Sequence, residues 1–345
     1  MTTIDPQQAA PASTPEFVTG TGQLRAFMRR HYTNFNSRET LAAAQGYVDH
    51  LDAGGKMMVT LSGAMSTAGI GRVLARMIRD DKVHAITCTG ANLEEDIFLL
   101  LAGKEYAWRP DWRALSAEDE QALLDQGMNR VTDTCIPETV MRHFEGRLLE
   151  VWRQAERDGA RKFPHEYYRD IFKQPDFADH FQMPAEDSWM LAAAEKDLPI
   201  YTPGWEDSTI GNVFTAGTMR GEYSHGVVKM GTEAMADLID WYKQNNNADN
   251  NKPSVGFFQV GGGIAGDFPI CAVPLMIQDL KWKDTPLWGY FCQVCDAVTS
   301  YGGYSGAVPN EKITWGKLAV ETPKFMIQSD ASIVAPLIFG YVLGD

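Results

Sequence analysis

Short apolar runs alternate along this chain with loops of small residues and with helical patterns. Residues 57–62 form such a run, which is followed by the small-residue loop 63–69 and then by a helix. Residues 83–89 and the loop 90–96 repeat the arrangement. Apolar runs of this length between loops are typical of strands that are buried on both faces. Strand, loop and helix in this order predict an open parallel sheet, whose ligands bind beyond the carboxyl ends of the strands.

The same alternation returns in the second half of the chain. Each further apolar run is followed by a polar or glycine-rich loop, and the runs span residues 198–202, 255–260, 288–295 and 324–328. The last run leads through residues 329–332 into a final helix. The pattern as a whole predicts an α/β fold with a mainly parallel sheet.

Residues 105–195 interrupt this alternation with a dense mixture of aromatic and charged side chains. Ser116 stands where it can cap a polar helix, and Pro137 stands where another helix begins. We interpret the segment as a helical excursion between two halves of the sheet and not as an independent domain. Residues 1–22, which are rich in proline and lack the pattern of a secretion signal, are predicted to form a disordered tail. Residues 23–345 are then expected to form a single domain.

Composition excludes several classes of function. Apolar residues make up 44% of the 345 residues, as in globular proteins, and no apolar run approaches the length of a membrane span. The net charge of −14 argues against nucleic-acid binding and suits a cationic substrate. With no secretion signal, the expected location is the cytoplasm. The five cysteines suggest no disulfide framework, and Cys292 and Cys295 are expected to pack in the core.

A glycine motif stands directly after one of the predicted strands. Gly261, Gly263 and Gly266 fit the spacing of a loop that lets the backbone approach the pyrophosphate of a dinucleotide. The bare pattern is weak, and its position in the last third of the chain is unusual for this motif. Its place between a strand and a helix still makes it a hint of nucleotide binding.

Acidic residues also stand at predicted strand ends. By default the run at 94–96 is the solvated first turn of a helix, which the helix dipole favours. Alternatively, one or two of its carboxylates hold substrate amines. Asp207 and Asp330 have the same two interpretations. None of the seven histidines stands at a spacing that suggests a metal ligand pair, so no metal site is expected.

Residues 309–317 combine a carboxylate, an indole and two amines after a glycine-rich run. We expect Trp315 to exclude water from Lys317, because lost hydration disfavours the ammonium form. A neutral lysine amine can form an imine with a carbonyl or iminium carbon, and Glu311 could anchor a cationic substrate. Taken alone, the stretch is more often a surface turn with a solvated lysine. Lys312, for which the sequence indicates no apolar wall, is expected to be solvated and replaceable.

In this order, the loops together resemble those of the deoxyhypusine synthase family. The resemblance extends from about residue 25 to residue 345, and its blocks are residues 61–69, 89–96, 206–212, 261–263, 305–307, 311–317 and 329–332. The Glu-Glu-Asp block at 94–96 and the Trp-Gly-Lys block at 315–317 are the most specific.

The resemblance implies a Rossmann-like, doubly wound domain that assembles as a homotetramer, with two protomers contributing to each active site. It also implies NAD as the cofactor and a polyamine as the substrate. In this chemistry spermidine is oxidised at a secondary-amine carbon. Lys317 then captures the aminobutyl group as an imine, releases 1,3-diaminopropane and passes the group to a second amine.

The resemblance assigns each block to one of the two ligands. The residues that it assigns to NAD are Gly63, Ala64, Met65, Ser66, Thr67, Thr89, Gly90, Ala91, Glu95, Asp207, Gly262, Asp296, Ala297, Asp330 and Ala331. Those that it places facing the polyamine are Glu94, Glu95, Gly302, Gly303, Glu311 and Trp315.

Three positions near the expected polyamine depart from the pattern of eukaryotic and archaeal members. Asp267, with Gly266 before it, stands where those members have Lys-His; Asn212 replaces a carboxylate and Tyr304 an aspartate. This set resembles a bacterial deoxyhypusine synthase-like branch that includes homospermidine-forming enzymes, which implies a small acceptor such as putrescine. Two alternatives stay open: an acceptor lysine on a translation factor, and a homologue that binds NAD or polyamine without turnover.

Overall fold

The structure, a computed structural model, describes residues 18–246 and 252–345. The tail predicted over residues 1–22 therefore lies largely outside the described residues. The strands are β1 Met57–Leu61, β2 Ala85–Cys88, β3 Ala107–Trp108, β4 Met128–Val131, β5 Thr134–Pro137, β6 Ile200–Tyr201, β7 Gly256–Val260, β8 Tyr290–Cys295 and β9 Lys324–Gln328. The helices are α1 Gln23–His31, α2 Phe35–Asp52, α3 Gly71–Arg79, α4 Gly90–Ala102, α5 Ala117–Asp125, α6 Glu138–Asp158, α7 Pro164–Phe172, α8 Trp189–Glu195, α9 Thr209–Met219, α10 Gly231–Asn245, α11 Ile264–Ile270, α12 Ala272–Pro274, α13 Glu311–Thr314 and α14 Ala331–Leu343.

Six of these strands form one sheet in the order β6-β2-β1-β7-β8-β9. Every neighbouring pair is parallel. From β1 the chain builds outward through β2 to β6, and it then returns to add β7, β8 and β9 on the other side of β1. The strand order thus reverses between β1 and β7, where Leu61 is in register with Val260. In open α/β sheets such a reversal leaves a crevice beyond the strand ends.

Helices cover both faces of the sheet, so the central strands are apolar on both sides. Successive residues of a strand point to opposite faces. On one face Phe258 packs on Tyr47 of α2 and on Phe339 of α14. On the other face Phe257 packs on Trp288, with ring centroids 5.0 Å apart. The α/β fold and the parallel sheet predicted from the sequence are confirmed.

The segment between α4 and β6 contains more than helices. β3, β4 and β5 form a separate antiparallel sheet in the order β3-β5-β4, which the sequence analysis omitted. All three strands are short, and β3 and β4 are only partly buried, so the apolar pattern is weak. Ser116 does cap α5, since its hydroxyl accepts the Asp119 N–H and the Asp119 carboxylate accepts the Ser116 N–H.

The two ends of the described chain are held together. Gly22 N–H donates to the carbonyl of Gly344 at 3.0 Å, and Gly20 N–H donates to the Asp345 carboxylate at 2.9 Å. The same carboxylate is buried and accepts two hydrogen bonds from Arg76 of α3 at 3.0 Å each. In the part of the chain that is described, no helix has both the length and the apolar character needed to cross a membrane.

Candidate functional site

A cleft of about 440 Å³ opens beyond the carboxyl ends of β1, β7, β8 and β9. It therefore lies where the strand order reverses, which is the expected position of a ligand in this fold. Five of the residues that the family resemblance assigns to NAD line it, namely Gly262, Asp296, Ala297, Asp330 and Ala331. Ser305 lines the same cleft.

The glycine loop after β7 gives this cleft a wall of bare backbone. Gly261 and Gly263 have φ values of 78° and 65°, in the region that side chains other than glycine rarely adopt. A Cβ atom on Gly262 would lie 1.5 Å from the Ser305 hydroxyl, so this position leaves no room for a side chain. The Ser62 hydroxyl donates to the Gly262 carbonyl and joins the loop to the end of β1.

A buried asparagine shapes the neighbouring loop 63–67. The Asn92 side chain donates to the Gly63 carbonyl at 2.9 Å and accepts the Ser66 N–H at 2.9 Å. Thr89 caps α4 and donates its hydroxyl to the same Gly63 carbonyl at 2.7 Å. The two loops assigned to NAD at the ends of β1 and β2 thus form one hydrogen-bonded unit. The sequence analysis gave Asn92 no role, although it lies within the block that matches the family.

The acidic run 94–96 is buried, so its default interpretation as a solvated helix turn is wrong. The two carboxylate oxygens of Glu94 accept the N–H groups of Thr209 and Ile210 at 3.0 and 2.8 Å. Glu94 therefore satisfies the amino terminus of α9. Asp96 accepts hydrogen bonds from Ser188, Trp189 and Met190, and burial raises its pKa to about 6.

Glu95 differs from its two neighbours because, within the described residues, Thr67 is the only residue to which it is hydrogen-bonded. Its carboxylate accepts the Thr67 N–H at 3.3 Å, while burial raises its pKa to about 7. Glu95 thus faces the loop 63–67, to which the resemblance assigns NAD. Its carboxyl can exchange a proton near neutral pH.

The residues assigned to the polyamine do not all come together within one chain. Asn212 is exposed near the start of α9, which follows the edge strand β6, and Glu94 is bonded to the same end of that helix. Gly302 and Glu311 are exposed in the segment after β8, and Gly303 is half-buried there. In the sheet, β6 and β8 are separated by β2, β1 and β7. The single chain therefore presents the assigned residues as two separate groups.

Lys317 lies buried beside a carboxylate and an aromatic ring, with 7% of its surface exposed. Its Nζ is 3.4 Å from Asp267 Oδ1 and 5.6 Å from the ring centroid of Tyr304. Its carbonyl accepts the Trp288 N–H at 3.2 Å, which fixes the backbone against the start of β8. Two of the three positions that depart from the family pattern, Asp267 and Tyr304, thus contact the lysine itself.

Trp315 does not cover Lys317 in the single chain, contrary to the sequence-based expectation. Its side chain is 61% exposed. The residue after it, Gly316, has a φ of 68°, and the chain turns there before it reaches Lys317. Lys317 instead lies beside the ring of Tyr304, and the next residue, Leu318, belongs to a buried apolar cluster.

Lys312 is buried, and the expectation that it is solvated is wrong. Only 3% of its surface is exposed, and its Nζ lies 4.9 Å from the ring centroids of both Phe291 and Tyr304. Burial lowers the pKa of Lys312 to about 8, and the nearby charge of Lys317 adds to this effect. The covering rings come from β8 and from the glycine-rich run, so the local sequence gave no sign of them.

Two buried glutamines connect the lysine pocket with the sheet. The Tyr304 hydroxyl donates to Gln259 at 3.0 Å, and Gln259 Nε2 donates to Gln293 Oε1 at 3.3 Å. Gln293 in turn donates to the Ser305 carbonyl at 2.6 Å. Their signal in the sequence was present, because each glutamine interrupts an otherwise apolar strand. This network connects Tyr304, whose ring lies beside Lys317, with Ser305, which lines the cleft.

The raised pKa of Glu95 makes the stability of the ligand-free protein depend on pH. Because the folded-state pKa lies above the ordinary value of 4.5, the folded state is favoured while the carboxyl is protonated. This contribution is complete below pH 4.5 and is lost as the pH rises through about 7. We expect the free energy of unfolding, relative to that of Glu95→Gln, to fall by about 3 kcal/mol between pH 4.5 and 8. Chemical denaturation of both proteins across this range measures it.

Glu118→Gln is the matched control, because it removes the same charge from the exposed face of α5. The other titrating groups cancel when each variant is compared with the unmodified protein. A difference between the unmodified protein and Glu95→Gln that stays constant from pH 5 to 8 would contradict the buried, weakly partnered carboxyl.

Curated proteins similar to this chain include some described as probable deoxyhypusine synthases and some described as deoxyhypusine synthase-like proteins. The protein named "Probable deoxyhypusine synthase 2" from Methanosarcina mazei is 27% identical over 312 residues, which cover 89% of this chain and 82% of that protein. The deoxyhypusine synthase-like protein of Nostoc sp. is 28% identical over 326 residues and covers 91% and 80% of the two chains. That of Caulobacter vibrioides is 26% identical over 321 residues, with coverages of 88% and 78%.

Solved structures show the same fold. A crystal structure of a candidate deoxyhypusine synthase from Entamoeba histolytica superposes with a TM-score of 0.55 at 12% identity, over 92% of this chain and 91% of that one. The family model described as deoxyhypusine synthase matches residues 26–342. That match spans the sheet, the cleft and the lysine pocket, and the chain belongs to the deoxyhypusine synthase family.

Proposed function

We propose that this protein is an NAD-dependent aminobutyl transferase, which takes the aminobutyl group from spermidine or a related polyamine and passes it to a small amine such as putrescine. The observation that carries the proposal is the setting of Lys317. Its amine is buried against Tyr304 and Asp267, and the segment that holds Tyr304 also walls the cleft beyond the sheet. A desolvated lysine next to a dinucleotide cleft suits imine chemistry that is coupled to hydride transfer.

The cleft fits a dinucleotide. The bare backbone at Gly262 allows close approach, and the carboxylates of Asp296 and Asp330 line the opening, where they suit ribose hydroxyls. The loops 63–67 and 89–91 stand at the ends of the neighbouring strands β1 and β2. When bound, NAD would supply reversible acceptance of the hydride that leaves the donor carbon.

The role of Lys317 follows from the bonds that change. Oxidation of the donor turns its secondary-amine carbon into an iminium carbon, to which the neutral Lys317 amine adds. The bond from that carbon to the departing nitrogen then breaks, and 1,3-diaminopropane leaves with the proton given up by the lysine. The acceptor amine displaces Lys317 in the same way, and the returned hydride reduces the product imine to a secondary amine.

The surroundings of Lys317 support a small cationic acceptor. Asp267 is half exposed while Lys317 is buried, so the carboxylate can meet an incoming ammonium group before the lysine is reached. The net charge of −14 attracts polyamines to the protein. The five free cysteines suit the reducing cytoplasm, where we place the reaction.

Incubation of the pure protein with NAD, spermidine and putrescine tests the proposal. We expect homospermidine and 1,3-diaminopropane in equal amounts, resolved by chromatography of the amines. An aminobutyl label found only on an added translation-factor lysine would show a protein acceptor instead. Bound NAD or polyamine without any product would show a homologue that lacks turnover.

We expect Lys317→Arg to lower transfer by about a thousandfold or more, while NAD binding changes little. Arginine keeps the positive charge but stays protonated, and it cannot form the imine. Borohydride added during turnover of the unmodified protein should trap the aminobutyl group as a mass increment on the peptide that contains Lys317.

Lys283→Arg serves as the control, because Lys283 is exposed and lies outside both the cleft and the lysine pocket. Lys312 is unsuitable for this purpose, since it is buried in the same pocket. If the trapped group were found on another lysine and the Lys317→Arg protein were still active, the assignment of Lys317 as the imine-forming residue would be refuted.

We further propose that the active protein is an oligomer, expected to be a tetramer, whose active sites lie between protomers. In the single chain the assigned polyamine residues form two groups that three strands separate, and Trp315 is left uncovered. Exposed apolar side chains follow the carboxyl ends of β7, β8 and β9, namely Ile264, Val298, Tyr301 and Ile333. Such side chains commonly mark a surface that a partner covers.

Light scattering at micromolar concentration should give four times the mass of one chain. Trp315→Ala is expected to lower transfer and to leave the ligand-free fold intact, because the indole makes little contact within its own chain. The mass of a single chain, together with full activity at that concentration, would rule out a site shared between protomers.

A further inference from the structure

A second cavity, of about 170 Å³, lies apart from both the cleft and the lysine pocket. It is formed by α3, α4 and residues 183–188, which precede α8. Among the described residues, none lines both this cavity and the cleft. A water molecule takes up about 30 Å³ in the liquid, so the cavity has room for a molecule of about six non-hydrogen atoms.

Asp96 gives this cavity a buried carboxylate, with 3% of its surface exposed. Its Oδ2 is well bonded, since it accepts the Ser188 hydroxyl at 2.6 Å and the Met190 N–H at 3.1 Å. In the described part of the chain, Oδ1 accepts only the Trp189 N–H, at a long 3.4 Å. The same oxygen lies against Gly71, another residue of the cavity, where a Cβ atom would come within 2.8 Å of it. Oδ1 can therefore accept a further donor.

The charge of Asp96 is only partly balanced by its surroundings. Burial raises its pKa to about 6, so the carboxylate form predominates at pH 7.5. The cation that acts on it, Arg79, is itself bonded to Glu195 at 2.7 and 3.0 Å. Arg72, whose side chain is 54% exposed, pairs with Asp187 at 3.1 Å. Both arginines thus have carboxylate partners of their own, and the cavity keeps a negative charge.

These features suit a small aliphatic amine. Leu99, Leu100, Met183 and Pro184 supply an apolar wall for a short alkyl chain. An ammonium group has three N–H donors and no acceptor, which matches a buried carboxylate oxygen that has one weak donor. An anion would be repelled by Asp96, and an uncharged molecule would leave its charge unbalanced.

We propose that this cavity is a second binding site, which takes short primary aliphatic amines with the ammonium group on Asp96 Oδ1 and the alkyl chain against Leu99 and Met183. The inference does not rest on the reaction proposed above, because neither Lys317 nor the cleft takes part in the binding. Monoamines and diamines share the chemistry that is recognised. A second ammonium group would lie towards the exposed side, where an ion pair contributes little.

The site is connected to the loop 63–67, which the family resemblance assigns to NAD. Trp189, whose backbone N–H reaches Asp96, donates its indole N–H to Ser66 Oγ at 3.0 Å. Ser66 is also bonded to Asn92, which shapes the same loop. An amine in the cavity is therefore bound beside the support of this loop and apart from the lysine that the proposed reaction uses.

Hydrogen–deuterium exchange of the unliganded full-length protein tests this site without NAD or turnover. The probes are n-butylamine, putrescine and 1-butanol, at pH 7.5 and constant ionic strength. The readout is the peptide that covers residues 183–191, which belongs to neither the cleft nor the lysine pocket. We expect both amines to slow its exchange in a saturable way and 1-butanol to leave it unchanged, because the alcohol has the alkyl chain but no charge.

Two variants locate the bound amine. Asp96→Asn keeps the shape of the side chain but removes its charge, and the butylamine concentration for half-maximal protection should rise about tenfold or more. Leu99→Phe fills the cavity and should abolish the protection. Asp284→Asn and Leu124→Phe, which make the same changes at exposed positions outside the cavity, should behave as the unmodified protein does.

Absence of protection by either amine in the unmodified protein would overturn the inference. Equal protection by 1-butanol would show an apolar cavity that does not recognise amines, and unchanged protection in Leu99→Phe would place the amine elsewhere; each result refutes the site. If Asp96→Asn fails to fold, Leu99→Phe and the comparison with 1-butanol decide. Failure of the spermidine assay with this protection intact would refute the proposed reaction alone.

Discussion

The contact between Lys317 and Asp267 is the interaction on which the pocket depends. A lysine with 7% of its surface exposed needs compensation for lost hydration, and a half-exposed carboxylate at 3.4 Å supplies only part of it. The amine is thus held in place without being locked into a strong ion pair. A fully buried, well-bonded carboxylate would stabilise the ammonium and make it unreactive. The structure gives such bonding to Glu94 and Asp96 instead, where the carboxylates serve to join helices.

The sheet holds this weak contact at a fixed place. Asp267 belongs to α11 directly after β7, while the carbonyl of Lys317 is bonded to the start of β8. Because β7 and β8 are adjacent and in register, the two residues are carried by one rigid pair of strands. The buried contact from Gln259 to Gln293 lies between the same strands, and Tyr304 is bonded to it. Buried polar groups of this kind specify a single arrangement because each loses free energy if its partner moves.

The parts that sequence could predict are those set by local pattern. Strand runs, the glycine loop and the Trp-Gly-Lys block all carry their signal within a few residues. The expectations for Lys312 and Trp315 were wrong because the burial of a side chain depends on segments that are distant in the sequence. Phe291 and Tyr304 cover Lys312, and both lie outside the helix that carries it. Likewise the sequence alone suggests a solvated turn at 94–96. In the structure α8 and α9 pack on this run and bond to Asp96 and Glu94.

This geometry connects two of the departures from the family pattern, because both residues lie against Lys317. Asp267 and Tyr304 were recognised separately, 37 positions apart by their numbers, yet both contact Lys317. Lys312 lies against the same tyrosine ring, so a change of aspartate to tyrosine at this position removes a charge and adds a wall for a second amine. A ring there accepts a cation through its face without fixing it by a hydrogen bond. The substitutions therefore act together, because the tyrosine that desolvates Lys317 also covers Lys312 and leaves Asp267 as the carboxylate in contact with Lys317.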